Sequence, residues 1–467
     1  MTAFDLAVIG GGSGGLSVAA AAAQFGQRVA LFEKHQMGGD CLNTGCVPSK
    51  ALIAAAKAAH TARAAAGFGI ATGEVKVDFT AVMKHVQGAI AAIAPHDSVV
   101  RFEGLGVTVV QAEARFITAA TLEAGGKRYE ARRIVVATGS RPAIPPIPGL
   151  AEVPSLTTDT LFNLRTLPGH LIIIGGGPIG LEMAQAFRRL GSDVTVIDAA
   201  ALLARDDPEA AAIAIEQIRR EGIRLLPSTP IIRVRTAAGS LVVETAAGAV
   251  MGSHLLVATG RKPNIDGLGL DAAGIAFTAR GITVDHRLRS SVRRVFAIGD
   301  VAGLGQFTHL AGYQAGLVIR QALFALPARL PARPVPRVTF TDPEVAQAGL
   351  TEAEARAQHG DDVKVLRADY RSNDRAVAEA ETRGFVKVTI RRNRILGCTI
   401  AGADAGEQIA PWILALENNL PLRAMAQSLL PYPTRAEAGR KAAVQGFADL
   451  AKKPWLRRMI GVLSRLR

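Results

Sequence analysis

Leu6-Ala7-Val8-Ile9-Gly10-Gly11-Gly12-Ser13-Gly14-Gly15 joins an apolar run directly to a GxGxxG pattern, and an alanine-rich stretch follows to about Phe25. The apolar run predicts a short strand buried on both faces, and the alanines predict a helix. In a strand, turn and helix of this kind Gly10 permits the tight turn and Gly12 lets backbone approach a pyrophosphate. Gly15 allows the helix to pack closely on the strand, and Ser13 and Gly14 open a helix whose free N–H groups favour phosphate. A second strand, Arg28–Phe32, ends in Glu33, 23 positions after Gly10, where a carboxylate can accept from ribose hydroxyls. Together these features predict a dinucleotide site.

The pattern recurs. Leu171–Ile174 leads into Gly175-Gly176-Gly177-Pro178-Ile179-Gly180, then a helix, then Val194–Ile197 ending in Asp198, again 23 positions after the first glycine. An Ala-Thr-Gly segment follows in each half, at Ala137-Thr138-Gly139, continued by Ser140, and at Ala258-Thr259-Gly260. Between the halves Arg141–Gly149 holds four prolines in nine residues, which resists helix and sheet and marks a boundary. Two such units imply two dinucleotides. At the second, Asp198 repels a 2′-phosphate and accepts from a free 2′-hydroxyl, favouring NADH over NADPH. Arg205 lies seven residues on and, folded back, would favour NADPH.

Gly38-Gly39-Asp40-Cys41-Leu42-Asn43-Thr44-Gly45-Cys46-Val47-Pro48-Ser49-Lys50 contains two of the three cysteines. On a regular helix they would stand about 7.5 Å apart along the axis, beyond the roughly 7 Å Cα limit for a disulfide. Bridging them needs a bent helix entrance, for which Gly38, Gly39 and Gly45 supply freedom. Asp40 or Asn43 is expected to cap the following helix, whose N-terminus would favour a thiolate. Taken alone the pair also reads as two free thiols. Metal binding is not expected, because C-x4-C lacks the usual ligand spacing and further ligands.

In its context this segment resembles the redox-active disulfide segment of the pyridine nucleotide-disulfide oxidoreductases, the family of dihydrolipoamide dehydrogenase, glutathione reductase and mercuric reductase. The resemblance covers all but about the last fifteen residues. It implies an α/β fold with two Rossmann-like dinucleotide-binding domains plus an α+β C-terminal dimerisation domain, in a homodimer. FAD would be held by Gly10, Gly12, Ser13, Gly14, Gly15, Glu33, Lys50, Thr138, Gly139, Ser140 and Asp300, the last closing Val295–Asp300. The nicotinamide cofactor would be held by Gly175, Gly177, Gly180, Asp198 and Gly260. The resemblance further implies a Cys41–Cys46 disulfide, with Cys46 facing the flavin and Cys41 exposed for exchange with substrate. Lys50 would lie near the flavin and pair with Glu182. The domains are expected at 1–149 (FAD and disulfide), 150–264 (NAD(P)), 265–334 (completing the FAD site) and 335–451 (interface, opening near Val338–Val345), with a tail at 452–467. Gly384–Ile390 and Arg394–Ile400 alternate like interface strands, the second placing Cys398 as inert packing.

One segment departs from the dihydrolipoamide dehydrogenase and glutathione reductase pattern. There the partner subunit supplies His-Pro-Thr followed three residues later by glutamate, and the histidine is the acid–base of dithiol exchange. Here Tyr432-Pro433-Thr434 precedes Glu437. A tyrosine titrates near pH 10 rather than about 6.5, so it shuttles protons poorly at neutral pH. The Pro-Tyr segment resembles mercuric reductase. Yet no cysteine follows Cys398, so that enzyme's C-terminal cysteine pair is missing, and an N-terminal metal-binding domain is not expected. The implied activity is NADH oxidation through the disulfide, with a thiol, disulfide or soft-metal substrate. Two alternatives stay open: dihydrolipoamide dehydrogenase, and a flavin-binding redox sensor or membrane-associated interaction protein without turnover.

The remaining composition narrows the partners. The formal charge is +14 among 467 residues, but only 5% are aromatic, the arginines are scattered among alanines, and no nucleic-acid motif occurs. No early segment has the form of a signal peptide, and a cytoplasmic location is expected. In the tail Trp455, Met459, Val462, Leu463 and Leu466 fall at helical spacing among basic residues. Such a helix suits peripheral contact with an anionic membrane surface or packing in the dimer.

Overall fold

The computed structural model describes residues 2–332 and 334–465, which form two compact units. Of the described residues, the first contains 2–175, 186–197 and 229–332; the second contains 176–185, 198–228 and 334–465.

The first unit is built on a seven-stranded sheet. Strands β1 (Thr2–Ile9), β2 (Val29–Phe32), β3 (Thr108–Val110), β4 (Ala114–Thr118), β5 (Thr121–Ala124) and β6 (Lys127–Val136) lie in the order β3-β2-β1-β6-β5-β4, and Val295–Ala297 pairs with the free edge of β6. β1 runs parallel to β2 and β6, in the register Val8 opposite Leu31 and Val135. The strand alternation of β1 feeds two cores: Leu6 and Val8 join Leu31 and Phe296, whereas Ala7 and Ile9 join Phe32 and Ile134. Each such buried aliphatic side chain contributes about 1.5–3 kcal/mol. Helix α1 (Ser13–Gln24) returns across the first core, as the Gly10 turn predicts. Because β1 is central, the carboxyl ends of β1 and β6 form the switch point at which open α/β sheets receive ligands.

A smaller parallel sheet in the same unit centres on His170–Ile174, flanked by Asp193–Ile197 and His254–Val257. An antiparallel meander, Ile231–Ala237, Ser240–Thr245 and Gly248–Gly252, follows.

The second unit carries a five-stranded antiparallel sheet in the order Arg337–Thr339, Glu344–Gly349, Arg394–Gly402, Phe385–Arg391, Val363–Asp369. The two strands read from sequence alternation are present, but Phe385–Ile390 is buried on both faces. Lys387, at the position that alternation assigns to solvent, is covered and meets Asp207 at 2.7 Å and Glu209 and Glu352 at 3.3 Å. Burial alone would lower its pKa; these carboxylates reverse the sign and raise it. Cys398 is buried in this core, and burial pushes its thiol pKa well up, as befits inert packing.

The tail forms a helix over Pro454–Leu463 on which Trp455, Met459, Val462 and Leu463 are all exposed; Leu466 and Arg467 lie outside the described residues. Among the described residues no helix is long and apolar enough to cross a membrane.

Candidate active site

The dithiol segment folds onto the first glycine loop. After β2 the chain turns through Gly38 and Gly39, both at positive φ, and Gly38 N–H donates to the Gly11 carbonyl at 2.8 Å. A Cβ on Gly39 would stand 2.8 Å from Gly12 Cα, so only glycine permits this approach without a shift. Helix α2 (Gly39–Asn43) then ends, Thr44 and Gly45 leave helical geometry, and helix α3 (Cys46–Ala64) begins. This is the bent entrance the cysteine spacing requires.

The expected cap is not made. Gly45 is the N-cap of α3 and no side chain bonds there. Asn43 Nδ2 turns back to the carbonyls of Met37 and Gly39, at 3.0 and 2.9 Å, while Asp40 forms an ion pair with Arg261. Both candidates are consumed in fastening the turn, leaving the first N–H groups of α3 beside Cys46 without a capping side chain.

Cys41 and Cys46 come within hydrogen-bonding reach of each other. Cys46 Sγ lies 3.4 Å from Thr308 Oγ1, at the start of the helix Thr308–Ala322. The Cys41 thiol is pushed strongly up, first by its bond to Cys46 and then by burial, against the opposing hydroxyls of Thr308 and Ser13. Cys46 sits at the N-terminus of α3, where free N–H groups favour a thiolate. Cys46 is exposed and Cys41 is half-buried.

The surrounding residues fit a flavin dinucleotide. Gly10 has φ +108°, and a Cβ there would stand 2.3 Å from the Ala137 carbonyl oxygen; one on Gly15 would stand 1.9 Å from the Gly10 carbonyl oxygen. A Cβ on Gly12, by contrast, would meet only Gly39 Cα at 3.8 Å, which leaves the space a phosphate needs. Glu33 accepts from Gly11 N–H and His35 N–H, both at 2.7 Å, and so fixes its carboxylate beside the loop.

At the end of β6 Thr138 exchanges bonds with Asn264, Gly139 takes φ +67°, and Ser140 Oγ donates to Asp300 Oδ2 at 2.5 Å. Burial raises the Asp300 pKa, opposed by Ser140 and Arg261. Gln314 is wholly buried; its Oε1 accepts from Gly299 N–H at 2.7 Å, and its Nε2 has no partner among the described residues. That orphaned donor beside the Asp300 turn is what a bound polar cofactor would satisfy.

The most connected side chain here was missed from sequence. Arg261 pairs with Asp40, donates to Ser140 Oγ and O at 2.7 and 2.9 Å, and lies 4.0 Å from Asp300. It ties the dithiol turn to the flavin strands. The signal was its position directly after Ala258-Thr259-Gly260.

The second loop repeats the first. Gly175 has φ +114°, with a Cβ there 2.4 Å from the Ala258 carbonyl oxygen, and nothing lies within 4 Å of one on Gly177. The helix Pro178–Leu190 carries Gly180 in its first turn, and Gly260 has φ +129°. Asp198 accepts from Gly176 N–H at 2.6 Å and Ala200 N–H at 2.7 Å, the counterpart of Glu33. Arg205 is exposed in the following turn.

Glu182 is buried and accepts from Phe340 N–H at 2.9 Å; Lys50 is half-buried on α3, in the other compact unit. Tyr432 is 71% exposed and donates to Asp374 Oδ2 at 2.9 Å. That bond, and then the charge of Asp374, raise the tyrosine pKa further. Glu437 opens the helix Glu437–Gln445 and accepts from Thr434 N–H at 3.2 Å. Among the described residues no group of three or more His, Cys, Asp or Glu could hold a metal ion.

Two glycine turns, each fixed by an acid, with a dithiol fastened to the first, define a two-dinucleotide disulfide reductase. Residues 4–315 match the pyridine nucleotide-disulphide oxidoreductase family and residues 335–443 its dimerisation domain, so the chain belongs to that family and is an FAD-dependent enzyme of it. A mercuric reductase from Streptomyces lividans is 37% identical over 97% of this chain and 98% of its own length. One from Shigella flexneri is 36% identical over 95% and 81%. Among solved structures, a Cu(II) complex of the HOCl-induced flavoprotein disulfide reductase RclA from Escherichia coli superimposes with TM-score 0.84 at 28% identity, over 93% of this chain and 98% of that one. LpdA from Mycobacterium tuberculosis gives TM-score 0.87 at 27% identity, over 95% and 99%.

The glycine geometry makes the cofactor testable. The purified protein is expected to be yellow with FAD bound. Gly15→Ala, whose Cβ meets backbone, should lose most of that FAD and about 1–3 kcal/mol of stability, as overpacking does. Flavin absorbance per chain and melting temperature measure this; full flavin content with unchanged melting would contradict it.

Proposed function

We propose that this homodimeric flavoenzyme oxidises NADH and passes the electrons through Cys41 and Cys46 to a disulfide or soft-metal acceptor, as a mercuric-reductase-like enzyme of the cytoplasm. The carrying observation is the pair of adjacent thiols, one at a helix N-terminus, on a turn fastened to the flavin loop. The domain limits are those given from sequence. When bound, FAD supplies hydride acceptance and electron delivery between nicotinamide and the cysteine pair.

The protein's own residues do the rest. The Gly10 and Gly175 loops and their helices hold the pyrophosphates; Glu33 and Asp198 orient the riboses; Asp300, Ser140 and Arg261 set the flavin end. Lys50 stands beside it. Two electrons and two protons convert the Cys41–Cys46 disulfide to two thiols. A substrate disulfide is then reduced by exchange, or a soft-metal ion gains the electrons, and in either case the Cys41–Cys46 bond re-forms. The mercuric reductase relatives and the Cu(II) complex of RclA support a soft metal among the acceptors. The exposed tail helix is covered by the partner subunit or rests on a membrane surface.

Steady-state NADH oxidation with disulfides, dihydrolipoamide chemistry in reverse, Hg(II) and Cu(II) tests the proposal. Sustained turnover with at least one acceptor is expected. A single round of reduction followed by a stall with every acceptor would instead identify a sensor.

Asp198 is the basis for NADH. Asp198→Asn removes the charge and keeps an oxygen for Gly176 N–H, so it should narrow the preference for NADH over NADPH by roughly tenfold, the equivalent of about 1.4 kcal/mol. The ratio of kcat/KM for the two cofactors measures it, and a wild-type preference for NADPH would overturn the assignment.

A further inference from the structure

We propose that a cavity lined by Arg132, Arg133, Arg287, Arg289, Arg293 and Arg294 binds a small ligand carrying two or more linked phosphates. The cavity measures about 720 Å³, within the usual range for small-molecule sites, and lies wholly in the first compact unit. Arg132 and Arg133 project from β6, and Arg293 and Arg294 immediately precede the strand Val295–Ala297, which pairs with it in the register Val295 opposite Ile134. Asp300 and the flavin-side turn follow the carboxyl end of that strand. The arginines gather before its amino end, so this site and the cofactor site occupy opposite ends.

Scattered composition does not explain the cluster. Among the described residues Arg132 meets Asp5 at 3.7 Å, but Arg133, Arg287, Arg289, Arg293 and Arg294 form no ion pair. Arg132, Arg133, Arg293 and Arg294 are exposed and Arg287 and Arg289 half-buried, and Asp285 accepts from the backbone N–H groups of Arg287 and Arg289 at 2.7 and 3.0 Å, so like charges are collected around one cavity with few carboxylates against their guanidinium groups. Two residues of its lining each carry a buried polar atom with no partner among the described residues, the donor Arg289 Nε and the acceptor Gln321 Oε1. Gln321 is only 7% exposed, and its amide is fixed by Nε2 bonds to the carbonyls of Arg287 at 2.9 Å and Leu317 at 3.3 Å. The Arg289 guanidinium is held 5.7 Å from the centroid of the Phe296 ring.

The unused groups define the ligand. Guanidinium forks bind phosphate oxygens in pairs, and several of them call for more than one phosphate. Leu326 and Pro327 add an apolar flank. The shared chemistry is a phosphate chain, inorganic or nucleoside-linked.

Calorimetric titration of the FAD-loaded enzyme with pyrophosphate and, separately, ATP tests this, in about 0.15 M salt to screen loose association and with saturating NAD⁺ to fill the nicotinamide site. Saturable binding of at least one ligand is expected, weakened tenfold or more in Arg293→Gln/Arg294→Gln and unchanged in Arg458→Gln on the tail. Tighter binding of ATP identifies a nucleotide ligand; equal binding identifies the phosphate chain as sufficient. The wild type gives a second readout: saturating ligand should protect Arg293 and Arg294 from a dicarbonyl reagent, as mapped by peptide mass. Absence of saturable binding, binding indifferent to the double variant, equal competition by sulfate, or unprotected arginines would each overturn the proposal.

Discussion

Cys46→Ser is expected to reduce NADH-driven turnover with every acceptor served by the dithiol by roughly 10³-fold or more, the order of loss on removing a covalent catalytic group. Serine keeps the size of the side chain and its place beside Thr308, so folding and flavin content should be unchanged. The bound flavin should still bleach rapidly with NADH, because the Gly175 loop and Asp198 are untouched. Cys41→Ser should abolish turnover equally, since neither sulfur can form the disulfide alone. The variants differ in ionisation. The sulfur left by Cys41→Ser stands at the N-terminus of α3 and should react with an alkylating reagent at neutral pH. The half-buried sulfur left by Cys46→Ser loses its neighbour's effect but stays desolvated and should react more slowly. Alkylation rates against pH measure this; a more acidic Cys41 would reverse the assignment.

Tyr432 should make the enzyme a poor dihydrolipoamide dehydrogenase while its flavin and dithiol are sound. Dithiol exchange needs a group that takes a proton and returns it, a contribution of about 10²- to 10⁴-fold, or roughly 2.7 to 5.4 kcal/mol at about 1.36 per decade. The hydroxyl of Tyr432 donates to Asp374, which raises a pKa already too high for that task, so the group stays protonated throughout the neutral range. Tyr432→His should raise turnover with dihydrolipoamide by a measurable part of that range without changing flavin reduction by NADH. Asp374 beside the new imidazole favours its charged form, so the gain should appear at higher pH than for an isolated histidine. Paired pre-steady-state and steady-state rates test this. Wild-type turnover of dihydrolipoamide as fast as flavin reduction would remove the handicap and identify a dihydrolipoamide dehydrogenase.

The parts legible in sequence were those whose signal is local. Leu6–Gly15 announces a strand and turn because periodicity and glycine placement are short-range properties, and Gly175–Asp198 repeats them. The dithiol bend followed from helix geometry applied to five residues. The capping expectation failed because Asn43 and Asp40 had competing partners, and only the fold brings Arg261 to Asp40 across more than two hundred residues. Thr308, Gln314 and Asp374 were invisible for the same reason: each is an ordinary residue made relevant by a neighbour remote in sequence. Lys387 reads as a solvent-facing strand residue until Asp207, Glu209 and Glu352 arrive around it.

Anaerobic titration with NADH, counting the thiols that appear for each flavin reduced, tests the central claim most directly. The oxidised enzyme should gain two titratable thiols per chain as Cys41 and Cys46 separate, and Cys46→Ser should gain none. A flavin that bleaches fully in the wild type while the thiol count stays constant would contradict the account.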